Sequence, residues 1–233
     1  MINVFVALAG LALTVPSPAQ KAARAHAPIA APAEPESGDA TDEMSQSAAT
    51  TRVADWVTAS GDHGALPYII IDKEAASLFL FDGKGKLLGK APVLIGVAVG
   101  DEATPGIGGK NLAEIGPAEK TTPAGRFLAK YGSAGGGQKV LWVDYADSVA
   151  LHPIPPGAPK KERRRQRMLS ATPDDNRITF GCINVPLAFY NKSLRPLFQR
   201  KGGYVYVLPD TRPLEEVFPL LQAQALASGT GAR

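Results

Sequence analysis

One cysteine, Cys182, and three histidines, His26, His63 and His152, are the only thiol and imidazoles in this 233-residue sequence. A cysteine attacks as its thiolate, so a nucleophilic Cys182 needs a base to take its proton. It sits in the stretch RITFGCINVP, residues 177–186. Gly181 permits close approach. The N–H groups of Phe180, Gly181 and Cys182 lie just ahead of a predicted helix, where amides can converge on an oxyanion and the helix dipole favours a thiolate. His26 falls in a low-complexity stretch and His63 in a polar loop, whereas His152 ends the apolar run SVAL at a strand end. His152 is therefore the base candidate. The plain alternative is an inert cysteine packed as a small hydrophobe. Thr179 and Arg177 either shape a pocket or serve as a strand hydroxyl and a surface charge. Asn184 reads as the cap of a helix starting near Pro186.

The elements that must position these residues are mostly strands. YIIID and SLFLF are apolar runs, DGKG (82–85) is a hairpin turn, and LLGKAPVLIGVAV continues with a break at Pro92. RFLAKYG, KVLWVDY, SVALHP and GGYVYVLP follow at short spacing with turn residues between them, which predicts a mainly β domain. PGIGGKN lacks the phosphate-loop spacing and a following helical pattern, so it reads as a flexible hairpin loop. Beyond Cys182, Leu187, Tyr190 and Leu194 mark a helix face that Pro196 should end or kink. Residues 214–227 are expected to form a loosely held terminal helix.

Residues 4–15 form an apolar run of signal-peptide length with no Lys or Arg before it, and Ser17-Pro18-Ala19 offers small residues at a cleavage site. Residues 1–19 are thus expected to be a signal peptide and 20–52 a disordered Ala/Pro-rich tether, too poor in large apolar residues to offset its ordering entropy. A single globular domain is expected over 53–210, with 211–233 as a tail. The net charge of +3 argues against nucleic acid as a partner, and no second hydrophobic segment suggests a membrane span. One cysteine leaves no intramolecular disulfide, and an unpaired thiol in an oxidising compartment asks for a reason.

RITFGCINVP with the upstream LHP resembles the signature of the L,D-transpeptidase catalytic domain, also called the YkuD domain. That family carries an upstream His, then Ser or Thr, His, Gly-Cys and, two places on, Asn or Arg. Thr179, Gly181, Cys182 and Asn184 stand at those positions and His152 at the upstream His. KTTPAGRF (120–127) resembles the family's T-P-x-G-x-F strand, and YIIIDKEAASLFLFDGKGKLL its opening hairpin, so the similarity covers about 66–209. The resemblance implies a mainly β, YkuD-like sandwich or barrel with one or two short helices. It implies Cys182 as nucleophile, His152 as general base, backbone amides of Phe180 and Gly181 at the oxyanion, and Thr179, Asn184 and Arg177 beside the substrate. The family attacks a carbonyl in a peptidoglycan stem tetrapeptide at meso-diaminopimelate or a similar residue. The terminal D-alanine leaves and a side-chain amine of another stem takes the acyl group, with no metal or cofactor. A periplasmic, cell-wall-associated monomer is expected.

Two departures stand beside the same site. Phe180 replaces the second motif histidine, and the segment between His152 and Thr179 is longer than in most members. It carries the basic run Lys160, Lys161, Arg163, Arg164, Arg165 and Arg167, which is either a solvated face or a lid attracting stem-peptide carboxylates. Two alternatives remain: an L,D-carboxypeptidase or amidase that gives the same acyl-enzyme to water, and a catalytically silent wall-binding module.

Overall fold

The computed structural model describes residues 44–221. The expected signal segment, most of the expected tether, His26 and everything beyond 221 lie outside the described residues. Among the described residues, ten strands are formed: β1 (Tyr68–Asp72), β2 (Ser77–Phe81), β3 (Leu87–Pro92), β4 (Ile95–Gly96), β5 (Gly125–Ser133), β6 (Lys139–Asp144), β7 (Val149–Pro153), β8 (Arg177–Thr179), β9 (Ile183–Val185) and β10 (Gly203–Val207). Eight of them form one sheet in the order β3-β2-β1-β10-β5-β6-β7-β9, and β4 pairs with β8. Leu94 N–H donates to Asn184 O at 2.9 Å and Asn184 N–H to Leu94 O at 2.8 Å, so the chain just past β3 meets β9, the opposite edge. This bridge nearly closes the sheet into a barrel. The mainly β fold class with short helices is the one the strand spacing predicts.

The unbroken apolar run of β1 follows from burial on both faces. Ile69 and Ile71 pack with Leu78, Leu80, Leu141, Leu151, Ile183 and Val205 in one core. Tyr68 and Ile70 face a second core with Phe79, Phe81 and Tyr206, capped by Val53, Trp56 and Val57 of helix α1 (Ala48–Ser60). Ser47 caps α1 through Thr50 N–H at 3.1 Å, and Ser47 and Thr50 both donate to the buried carboxylate of Asp72. Residues 48–52, placed in the tether by composition, are therefore helix. Polar side chains there are matched to a buried acceptor, which composition does not reveal. At the other end, α5 (Leu214–Val217) leads into buried Phe218 and Leu221 of the same core, so the first part of the expected tail is packed.

Three further corrections concern the site's surroundings. The segment around Gly106 is not a hairpin loop, since β4 and β5 do not pair; it is a series of 3-10 turns at Ile107–Gly109, Leu112–Glu114 and Pro117–Glu119, with Ile107 buried. Cys182 does not abut a helix: β9 intervenes, and α3 (Leu187–Phe189) starts only after Pro186, so no helix dipole bears on the thiol. α3 continues through a π-helical turn (Tyr190–Leu194) into α4 (Arg195–Phe198). Pro196 does not end this helix, because the widened turn before it accommodates the missing N–H. Tyr190 and Leu194 are buried as the spacing predicts, but Leu187 is 61% exposed.

Candidate active site

β7 and β9 run parallel side by side, with Leu151 opposite Ile183 and His152 opposite Asn184. Leu151 and Ile183 point into the core, and strand alternation turns Ala150, His152, Cys182 and Asn184 to the other face. Cys182 and His152 thus share one face as diagonal neighbours. His152 Nδ1 lies 2.7 Å from Pro153 O. A carbonyl only accepts, so Nδ1 carries the proton and Nε2 keeps its lone pair. Burial pushes the His152 pKa down, opposed by that hydrogen bond, and the nearby Arg164 guanidinium lowers it further. Burial pushes the Cys182 thiol up, against the pull of the Ala150 backbone and Arg164. Both shifts favour a resting pair of neutral thiol and neutral imidazole. Cys182 Sγ lies 3.7 Å from Ser148 O.

The turn carrying Cys182 is pinned on both sides. Buried Thr179 donates from Oγ1 to Cys182 O at 2.6 Å and accepts from Gly181 N–H at 3.2 Å. Thr122 Oγ1 donates to Gly181 O at 2.9 Å and accepts from Gly96 N–H at 2.9 Å. Gly181 has φ +123°, and a Cβ there would lie 2.6 Å from Thr121 O, so the turn requires glycine. With the Gly181 amide committed to Thr179, the N–H groups of Phe180 and Cys182 are the two that donate to no backbone acceptor among the described residues. The Phe180 ring is turned outward, with Lys120 Nζ 3.8 Å above its centroid.

The remaining expected residues fall in different places. Asn184 is no helix cap: it is fully buried within β9, its Oδ1 accepts from Arg164 Nη1 at 2.9 Å, and its Nδ2 has no partner. Arg177 leaves the site, donating to Asp210 Oδ1 at 2.7 Å and to Ala98 O. His63 is buried with its ring nitrogens 3.2 and 3.1 Å from Val57 O and Gly83 O, away from Cys182. The basic run divides. Lys160, Lys161, Arg163 and Arg165 are exposed, while Arg164, at the start of α2 (Arg164–Met168), turns inward and is held by Glu162 at 2.6 Å. Arg164 is the site residue that sequence reasoning did not separate from its neighbours; its pairing with Glu162, two residues earlier, was the available signal.

No family model matches this chain, and no curated protein matches it. Similar solved structures include an L,D-transpeptidase from Xylanimonas cellulosilytica, at 13% identity over 61% of this chain and 60% of that one, with a TM-score of 0.37. The helical cell shape determining protein Pgp2 of Campylobacter jejuni is 14% identical over 76% of this chain and 62% of that one, with a TM-score of 0.42. The catalytic domain of an E. faecium L,D-transpeptidase is 18% identical over 60% of this chain and 95% of that one, with a TM-score of 0.32. The match thus spans less than two thirds of the first two proteins. Among the described residues, no helix is long and apolar enough to cross a membrane.

Proposed function

We propose that the chain is a cysteine acyltransferase of the L,D-transpeptidase type, acting on peptidoglycan stem peptides at the cell wall. The observation that carries this reading is the shared face of β7 and β9, where His152, with its Nε2 lone pair free, stands diagonal to Cys182. Because both groups rest neutral, the thiol proton passes to His152 Nε2 as the sulfur attacks the stem-peptide carbonyl carbon. The Phe180 and Cys182 N–H groups, without other acceptors, receive the negative charge on the carbonyl oxygen. His152 returns the proton to the departing D-alanine nitrogen as the C–N bond breaks, leaving a thioester on Cys182. The amine of a second stem then attacks, gives a proton to His152 and forms the new amide. The sulfur leaves and takes that proton back.

The test is incubation of the purified protein with disaccharide-tetrapeptide, with products resolved by mass. Cross-linked dimer is expected from wild type and none from Cys182→Ala. Release of D-alanine without dimer assigns the hydrolytic alternative, and no product in either form assigns the silent module. His152→Ala should slow acylation on the order of 10²–10⁴-fold. His63→Ala should leave the rate near wild type while lowering stability, since its buried ring donates to one of the two carbonyls within reach, Val57 O and Gly83 O. Equal rates for His152→Ala and wild type would remove His152 from the chemistry.

A further inference from the structure

Trp142 and Tyr145 form an aromatic corner close to Cys182. In β6, Leu141 and Val143 point into the core, so Trp142 stands on the outer face. Its indole lies across Gly132 of the neighbouring strand, where a Cβ would come within 2.6 Å of the ring. Glycine there lets the Cδ1–Nε1 edge of the indole come up against the backbone. Tyr145, in the turn after β6, is 77% exposed, and its ring centroid is 5.2 Å from that of Trp142 with planes at 77°. The two rings therefore make a floor and a wall. They bound an open cleft of about 500 Å³ whose other lining includes Ser133, Gly135, Gly108 and Ser148. No charged side chain lines it.

Ser148 joins this cleft to the candidate active site. Its hydroxyl donates to Gly108 O at 3.2 Å, and its carbonyl oxygen is the one 3.7 Å from Cys182 Sγ. A ligand in the cleft is thus one residue away from the sulfur. The chemistry of the lining selects its class. A basic peptide would meet no counter-charge in that lining, and the Lys139 ammonium that adjoins it is engaged by Ser133 Oγ at 2.7 Å. A neutral pyranose presents axial C–H groups that fit the electron-rich face of an indole, and a rim of hydroxyls that fits serine hydroxyls and backbone carbonyls.

We propose that the Trp142–Tyr145 corner is a glycan subsite, holding one pyranose ring of the strand whose stem peptide reaches Cys182. This rests on the reading of Cys182 as acting on peptidoglycan, but sugar binding is measurable without turnover. The test uses the full chain carrying Cys182→Ala, titrated with N-acetylglucosaminyl-N-acetylmuramic acid lacking any stem peptide, by calorimetry and tryptophan fluorescence. The chain has two tryptophans, and Trp56 is buried in the second core, so a ligand-dependent emission change reports on Trp142. Saturable binding is expected, with Tyr145→Ala raising Kd at least about tenfold, equivalent to about 1.4 kcal/mol. Trp142→Leu should abolish both binding and the emission change; Tyr145→Ala, at an exposed position, keeps the test valid if Trp142→Leu fails to fold. Absence of saturable sugar binding, or an unchanged Kd in Tyr145→Ala, overturns the subsite. Binding by Cys182→Ala alongside a wild-type protein that makes no cross-linked dimer overturns the proposed function and leaves the subsite standing.

Discussion

Arg164 supplies a positive charge to both Cys182 and His152 from a side chain held between Glu162 and Asn184. It favours the Cys182 thiolate and disfavours the His152 imidazolium. Replacing it with glutamine removes both influences at once. The Cys182 pKa, already raised by burial, should rise further, because the thiolate loses a favourable charge. The His152 pKa should rise too, because the imidazolium loses a repulsive one. Iodoacetamide alkylation of Arg164→Gln, followed against pH, is expected to show a higher midpoint than wild type. The His152 ring resonances should titrate at higher pH in the same variant. Unmoved midpoints in both measurements would mean that solvent screens Arg164 from the site.

Among the connecting elements, the loops flanking the site are tied together by a buried charge cluster. Lys73, in the turn after β1, is fully buried; its Nζ donates to Asp101 Oδ1 at 2.9 Å and lies 3.2 Å from Asp210 Oδ2. Asp101 also accepts from the N–H groups of Asp210, Thr211 and Arg212 and from the Thr211 hydroxyl. Burial alone would raise the Asp101 carboxyl, but these donors and Lys73 outweigh it and hold the carboxyl well below the usual range. A carboxyl depressed in the folded state contributes stability above its unfolded value, near 4, and that contribution is lost as pH falls and only the unfolded chain takes up the proton. Asp101→Asn, which leaves Lys73 with one anionic partner, is expected to cost about 3–5 kcal/mol at neutral pH. Urea unfolding at pH 7 and pH 3 should show the gap between variant and wild type narrowing in acid. A gap independent of pH would assign the loss to packing rather than to charge.

Over the whole molecule, the sheet has cores on both of its faces, and the second core is sealed by chain segments far apart in sequence. Val53, Trp56 and Val57 come from one end of the described chain and Phe218 and Leu221 from the other, meeting over Tyr206. A protein beginning at Val53 keeps these apolar residues but loses the Ser47 cap and the bonds from Ser47 and Thr50 to Asp72. Those losses are worth about 1 kcal/mol for the cap and about 1.5–3 kcal/mol for each charged hydrogen bond. Thermal unfolding of that truncation should shift down by about 10–20 °C relative to a protein beginning at Met44. An unchanged Tm would show that α1 holds its place by its apolar face alone.

The strands and the hairpin at 82–85 were legible in the sequence because each is a local property. Short apolar runs and the turn residues between them survive whatever the rest of the chain does. The glycine before Cys182 was visible in the sequence, and it acquires its physical reason from the positive φ of Gly181 and the Thr121 carbonyl against it. What tertiary structure decided is everything that depends on which distant residue answers a polar group. Asn184 reads as a cap by its place before a proline, yet across the barrel closure it pairs with Leu94 and receives Arg164. Arg177 reads as either a pocket residue or a surface charge, and the fold pairs it with Asp210. Ser47 and Thr50 sit in a stretch of tether-like composition, and a single buried carboxylate, Asp72, makes them part of a helix. A buried polar group must find a partner, and sequence spacing does not say which strand will bring it.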